Sequence, residues 1–78
     1  MTNKKAAEIY MKCCPNDVID KEDPRYLSIC REIKAIAKAK TPQAAAKIIE
    51  WWGWDYPQQM YEFIRKVKRL ARVVAHGK

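Results

Sequence analysis

Glycine is nearly missing from this chain of 78 residues, with Gly53 and Gly77 its whole complement, which excludes a glycine-rich phosphate loop. Histidine occurs once, at His76, and no G-x-S-x-G segment is present. Catalysis needs an activated nucleophile or a paired acid and base. Here the acids cluster in one connection and the single imidazole lies near the chain end, so no enzyme is expected. There is also no run of about 18 apolar residues to span a membrane and no apolar segment after Met1-Thr2-Asn3-Lys4-Lys5.

The cysteines are three, Cys13, Cys14 and Cys30, an odd number that cannot pair fully within one chain. Neither C-x-x-C nor zinc-knuckle spacing occurs. Zinc on Cys13, Cys14, Cys30 and His76 is conceivable, but neighbouring cysteines splay apart on a helix, so packed thiols are expected instead. A reversible Cys14 to Cys30 bond is disfavoured in the same way. No metal or cofactor is expected, and reduced thiols point to a cytoplasmic location.

What remains is a helical pattern with a cationic surplus. Hydrophobic residues make up 49% of the chain, well above the range of disordered segments. A domain this short buries only about 60% of the surface its unfolded chain exposes, so the core is thin. The fold class expected is all-α, a small single domain of about four helices over residues 3–14, 24–39, 42–52 and 56–75.

Each helix is read from its start signal and its apolar stripe. The first opens after Thr2, carries Ala6, Ile9, Tyr10 and Cys13 on one side, and ends at Pro15. An acidic connection with Asp17, Asp20, Glu22 and Asp23 follows, Val18 and Ile19 forming its apolar plug. Asp23-Pro24 reads as a cap and first turn for the second helix, which buries Tyr26, Ile29, Cys30, Ile33 and Ile36 and leaves Arg31, Lys34 and Lys38 on a solvated face. Thr41-Pro42 repeats that signal for a third helix with Ala45, Ile48, Ile49 and Trp52 inward, stopped by a left-handed Gly53. Asp55 caps the last and longest helix, whose stripe is Met60, Phe63, Ile64, Val67, Leu70, Ala71 and Val74.

Charge is distributed unevenly. Lysine and arginine total 16 against 9 acids, a formal charge of +7. From Tyr56 onward there are six basic residues and one acid, Glu62, while residues 1–55 carry ten basic and eight acidic groups. At about 100° per residue, Arg65, Arg69, Arg72 and His76 project as one line flanked by Lys66 and Lys68. Guanidinium groups so arrayed suit phosphates, because each presents fixed donors to two oxygens and phosphate neutralisation releases counterions. A solvated face and the helix dipole account for part of this surplus, though ordinary solvated helices also carry acids.

Three functional readings follow. The first is a small regulatory protein that binds nucleic acid, DNA rather than RNA, with Arg65, Lys66, Lys68, Arg69 and Arg72 on phosphates and Gln59 or Arg65 on base edges. A helix-turn-helix-like arrangement of the last two helices would place Gln58, Gln59, Glu62 and Arg65 in a groove. Against that arrangement stand bulky Ile48 and Ile49 before the turn and a capping box in which Gln58 is occupied. The second is an adaptor or inhibitor docking through Trp51, Trp54 and Tyr56, with an acidic patch of its protein partner meeting the last helix. Trp51 and Trp52 point about 100° apart, so at least one is expected to be partly exposed, while packing remains the usual fate of a tryptophan. A homodimer covering surplus apolar surface is the third.

Overall fold

A second helix, packed by three others, organises the molecule. The computed structural model describes residues 1–76, without the His76 side chain. It contains α1 (Asn3–Cys13), α2 (Tyr26–Lys38), α3 (Pro42–Ile49), a short 3-10 turn (Glu50–Trp52) and α4 (Pro57–His76). No strand occurs among the described residues, and the all-α architecture matches the expectation. Among the described residues no helix is long and apolar enough to cross a membrane.

Local chemistry explains most of the boundaries. Thr2 accepts the Lys5 amide on its hydroxyl at 3.2 Å, and Thr41 accepts that of Ala44 at 3.1 Å, each satisfying an orphan donor of the first turn. Pro42 begins α3, where its missing N–H costs nothing. Gly53 has φ +82° and ψ +66°, the left-handed conformation expected of it. The last turn of the expected third helix tightens into the 3-10 segment before that glycine.

Three expectations are corrected. Helix α2 begins at Tyr26 rather than Pro24, because Asp23 turns back on the connection instead of capping the helix. Its Oδ1 accepts the Arg25 amide at 2.8 Å and the Arg25 Nε at 3.1 Å, which holds Pro24 and Arg25 in a turn. Of the two plug residues only Ile19 is inserted; Val18 is 76% exposed. At the start of α4 it is Gln59, not Gln58, that reaches back, its Oε1 accepting the Asp55 amide at 3.1 Å.

The core is apolar throughout, with no polar or charged side chain buried among the described residues. Ile33 and Ile36 of α2 meet Ile49 of α3 and Val67 of α4, all inaccessible to solvent. Burial of each such side chain contributes roughly 1.5–3 kcal/mol. The buried set of α2 is Tyr26, Ile29, Cys30, Ile33 and Ile36, as the stripe predicts. In α1, Ala7 joins the core and Cys13 is half-buried; in α3, Ala46 joins it while Ile48 is half-buried. Leu70 and Val74 lie at the margin of the α4 stripe.

One polar clasp closes the connection between α1 and α2. Arg25 donates to both oxygens of Asp17 at 3.0 and 2.9 Å and to Asp23 Oδ2 at 2.9 Å, and the Tyr10 hydroxyl donates to Asp17. Arg25 holds both carboxyls below the usual carboxylate range. Burial, then the bond to Asp17, pushes the Tyr10 phenol upward.

Candidate nucleic-acid interface

Helix α4 turns its apolar stripe inward, which leaves the basic residues on the outside. Arg65, Lys66, Arg69 and Arg72 are exposed, and Glu62 is exposed one turn earlier. Among the described residues the ion pairs are Lys5 with Glu8 and Arg25 with Asp17 and Asp23. Among the described residues no lysine or arginine of α4 forms an ion pair with a carboxylate. Lys68 differs from its neighbours: it is half-buried and donates to the carbonyl of Ala39, the capping residue just after α2. It thereby satisfies a C-terminal orphan carbonyl while keeping its charge. The imidazole of His76, the last member of the expected line, lies outside the described residues.

A groove of about 360 Å³ runs between α2 and α4, lined by Lys34 and Lys38 from one side and Lys68 and Arg72 from the other, with Ala37, Ala71 and Ala75 among its apolar lining. No acidic residue lines it. Lys34 donates to Asn3 Oδ1 at 2.5 Å, a neutral acceptor that orients the ammonium without cancelling its charge. The sequence reading left Lys34 and Lys38 on a solvated face of their own helix. Their nearness to Arg72 depends on how α2 and α4 pack.

The base-reading residues fare differently. Gln59 is half-buried, and its oxygen is committed to the Asp55 amide. Gln58 lies with its amide nitrogen 3.5 Å from Glu62. The connection from α3 to α4 runs from Glu50 to Tyr56, longer than the three or four residues that usually join a helix-turn-helix pair.

The tryptophans divide by role. Trp52 is the hub of an aromatic cluster: its ring stacks on Trp54 at 6.0 Å and meets Tyr10, Trp51 and Phe63 edge-on at 5.9, 6.3 and 5.4 Å. Such pairs add about 0.5–1.5 kcal/mol each beyond area burial. Trp54 also packs on Phe63 and donates its indole N–H to the Ile49 carbonyl at 2.8 Å, closing the corner between α3 and α4. Trp51 is 67% exposed and Tyr56 55% exposed. The Trp51 indole nitrogen lies 3.0 Å from both Glu32 Oε2 and the Ile48 carbonyl, so this ring is displayed in a fixed position. Of the three aromatic docking candidates, Trp51 and Tyr56 are on the surface and Trp54 is largely structural.

Beside Trp51 lies an open groove lined by Tyr10, Asp17, Arg25, Glu32 and Trp52, among others. Two of its lining residues each carry a buried atom without a hydrogen-bond partner, Glu32 Oε1 and Trp52 Nε1. The thiols gather nowhere near a ligand set: no cluster of three metal-binding side chains occurs among the described residues. Burial pushes the Cys13 thiol up to about 11 and raises those of Cys14 and Cys30, so all three are protonated at neutral pH.

Comparison with known protein families, with curated proteins and with solved structures found no match to this chain. The functional reading therefore rests on its own surfaces.

Proposed function

We propose that this chain is a non-catalytic nucleic-acid-binding protein that lays the outer face of α4 along a phosphate backbone, duplex DNA being the preferred form. The observation that carries this reading is the display of Arg65, Lys66, Arg69 and Arg72 on one helix with no ion-paired acid. Uncompensated guanidinium groups are already solvated and oriented outward, so contact with phosphates breaks no internal ion pair and releases counterions from the nucleic acid. With the Gln59 oxygen engaged in its own helix start, affinity comes from the backbone, and any base reading falls to Arg65.

The test is charge reversal of Arg69 and Arg72. Both are exposed, so Arg69→Glu with Arg72→Glu leaves the core and the helical signal intact while abolishing binding to mixed duplex DNA at low salt. Undiminished binding by this variant would remove α4 from the interface.

A second reading is favoured by Trp51, an exposed aromatic held rigid beside a groove with an unpartnered buried acceptor and donor. A fixed tryptophan loses little side-chain entropy on binding and is a frequent anchor of protein interfaces. On this reading the chain docks on a larger acidic protein through Trp51 and Tyr56. Trp51→Ala would then weaken capture of that protein at a temperature well below its melt and leave DNA binding unchanged; equal capture by both forms would dismiss it.

A further inference from the structure

The outer face of α4 does not use all the positive charge that the fold assembles. On α4, residues 68, 71, 72 and 75 follow the i, i+3, i+4, i+7 spacing of one helix face, and on α2 residues 34, 37 and 38 do the same. The two faces meet across the groove, placing a pair of cations on each wall with alanines between them.

We propose that this α2–α4 groove is a seat for a backbone phosphate of bound nucleic acid, gripped by Lys38 and Arg72 and flanked by Lys34 and Lys68. The inference rests on the nucleic-acid reading above and deepens it, because it moves the tightest phosphate contact off the outer stripe and into a cleft between two helices.

Three features build the seat. The first is pre-organisation: Lys34 is tied to Asn3 and Lys68 to the Ala39 carbonyl, so two of the four ammonium and guanidinium groups are already held in place by neutral oxygens. Holding donors before the ligand arrives lowers the ordering cost of binding. The second is access. Ala37, Ala71 and Ala75 keep the helix walls low, so a phosphate can approach both helices closely beside the partly exposed Met1 that also lines the groove. The third is charge. With no acid in the lining, four positive charges face one space of about 360 Å³, a repulsive arrangement that an anion relieves.

Arg72 joins this seat to the outer stripe, because it lies in the line of Arg65 and Arg69 and also forms a wall of the groove. From Arg72 back to Arg65 is about 10 Å of helix axis, which one strand of B-DNA covers in about three nucleotides. A strand seated in the groove can thus continue along Arg69 and Arg65. Structural duty explains Lys34 and Lys68 in part, and Lys38 in the last turn of α2 suits the helix dipole, but the Lys38 side chain makes no hydrogen bond or ion pair among the described residues.

The experiment is a titration with mixed duplex DNA at 50 and 200 mM salt, comparing the wild type, Lys34→Gln with Lys38→Gln, and a control, Lys21→Gln with Lys47→Gln, that loses the same charge from exposed positions elsewhere. One seated phosphate contributes about 0.9 to the logarithmic salt slope, so the groove variant should lose about threefold to fourfold of the wild-type difference in affinity between the two salts, whereas the control keeps it. Lys38→Gln alone, which disturbs no internal bond, should shift in the same direction by up to that amount. A groove variant that matches the control would overturn the seat and leave the α4 reading standing. A wild type that does not bind DNA would overturn both.

Discussion

Replacing Gly53 by alanine isolates a single physical cause at the corner between the 3-10 turn and α4. An added Cβ at this position meets nothing within 4 Å, so no clash contributes. What remains is the backbone, whose φ of +82° costs an L-residue about 1–2 kcal/mol. Alanine also narrows the unfolded ensemble, which returns about 0.4–1 kcal/mol, so the net loss is about 1 kcal/mol. For a domain of this size that loss lowers the melting temperature by about 4–8 °C. Thermal melts of Gly53→Ala and Gly53→Asn measure it, with asparagine the milder change because its short amide tolerates the left-handed region. DNA affinity measured well below the melt should be unchanged. An alanine variant as stable as the wild type would contradict the left-handed turn, and a loss above about 3 kcal/mol, equal for both residues, would show that something other than the dihedral angle governs the corner.

Two further outcomes follow from the titrating groups. Asp17 and Asp23 have lowered folded-state pKa values, so the stability they lend through Arg25 is complete above the unfolded carboxylate value near 4 and is lost as the pH falls through the lower folded values. The melting-temperature gap between wild type and Arg25→Gln should therefore be full at pH 7 and close below about pH 4; a gap independent of pH would contradict the clasp. Cys13, its thiol pushed up to about 11 by burial, should react slowly with a disulfide reagent at pH 8 and quickly in urea, and rapid labelling of the folded protein would contradict the packed-thiol assignment.

The helices were legible because each carries its own period. Tyr26, Ile29, Cys30, Ile33 and Ile36 recur at helical spacing, and the buried set of α2 is the same five residues. Start signals worked where the cap is local, as at Thr2 and Thr41. At Asp23 the local signal misled, since its carboxylate is claimed by Arg25, which also reaches across the connection to Asp17. Val18 and Ile19 could not be told apart because an irregular connection has no period to assign an inside.

The candidate site divides along the same line. Arg65, Lys66, Arg69 and Arg72 share one helix, so their common exposure follows from spacing alone. The uses of Lys68 and Gln59 do not, because the Ala39 carbonyl is distant in sequence and the Gln59 oxygen turns on one side-chain rotamer. Lys34 and Lys38 meet Arg72 only through packing of α2 on α4, a relation that no single-helix pattern contains. Exposure of at least one of Trp51 and Trp52 was expected from their 100° offset, but only tertiary packing makes Trp52 the aromatic hub and Trp51 the displayed ring.

The most direct test of the central claim is a titration of the wild-type protein with mixed duplex DNA across a salt series, read by tryptophan fluorescence. Four phosphate contacts from Arg65, Lys66, Arg69 and Arg72 predict a logarithmic slope of about −3.6 or steeper, hence binding at least about 100-fold weaker at 200 than at 50 mM salt. Absence of binding at 50 mM salt, or binding indifferent to salt, would contradict the claim that the cationic face of α4 is a phosphate-binding surface.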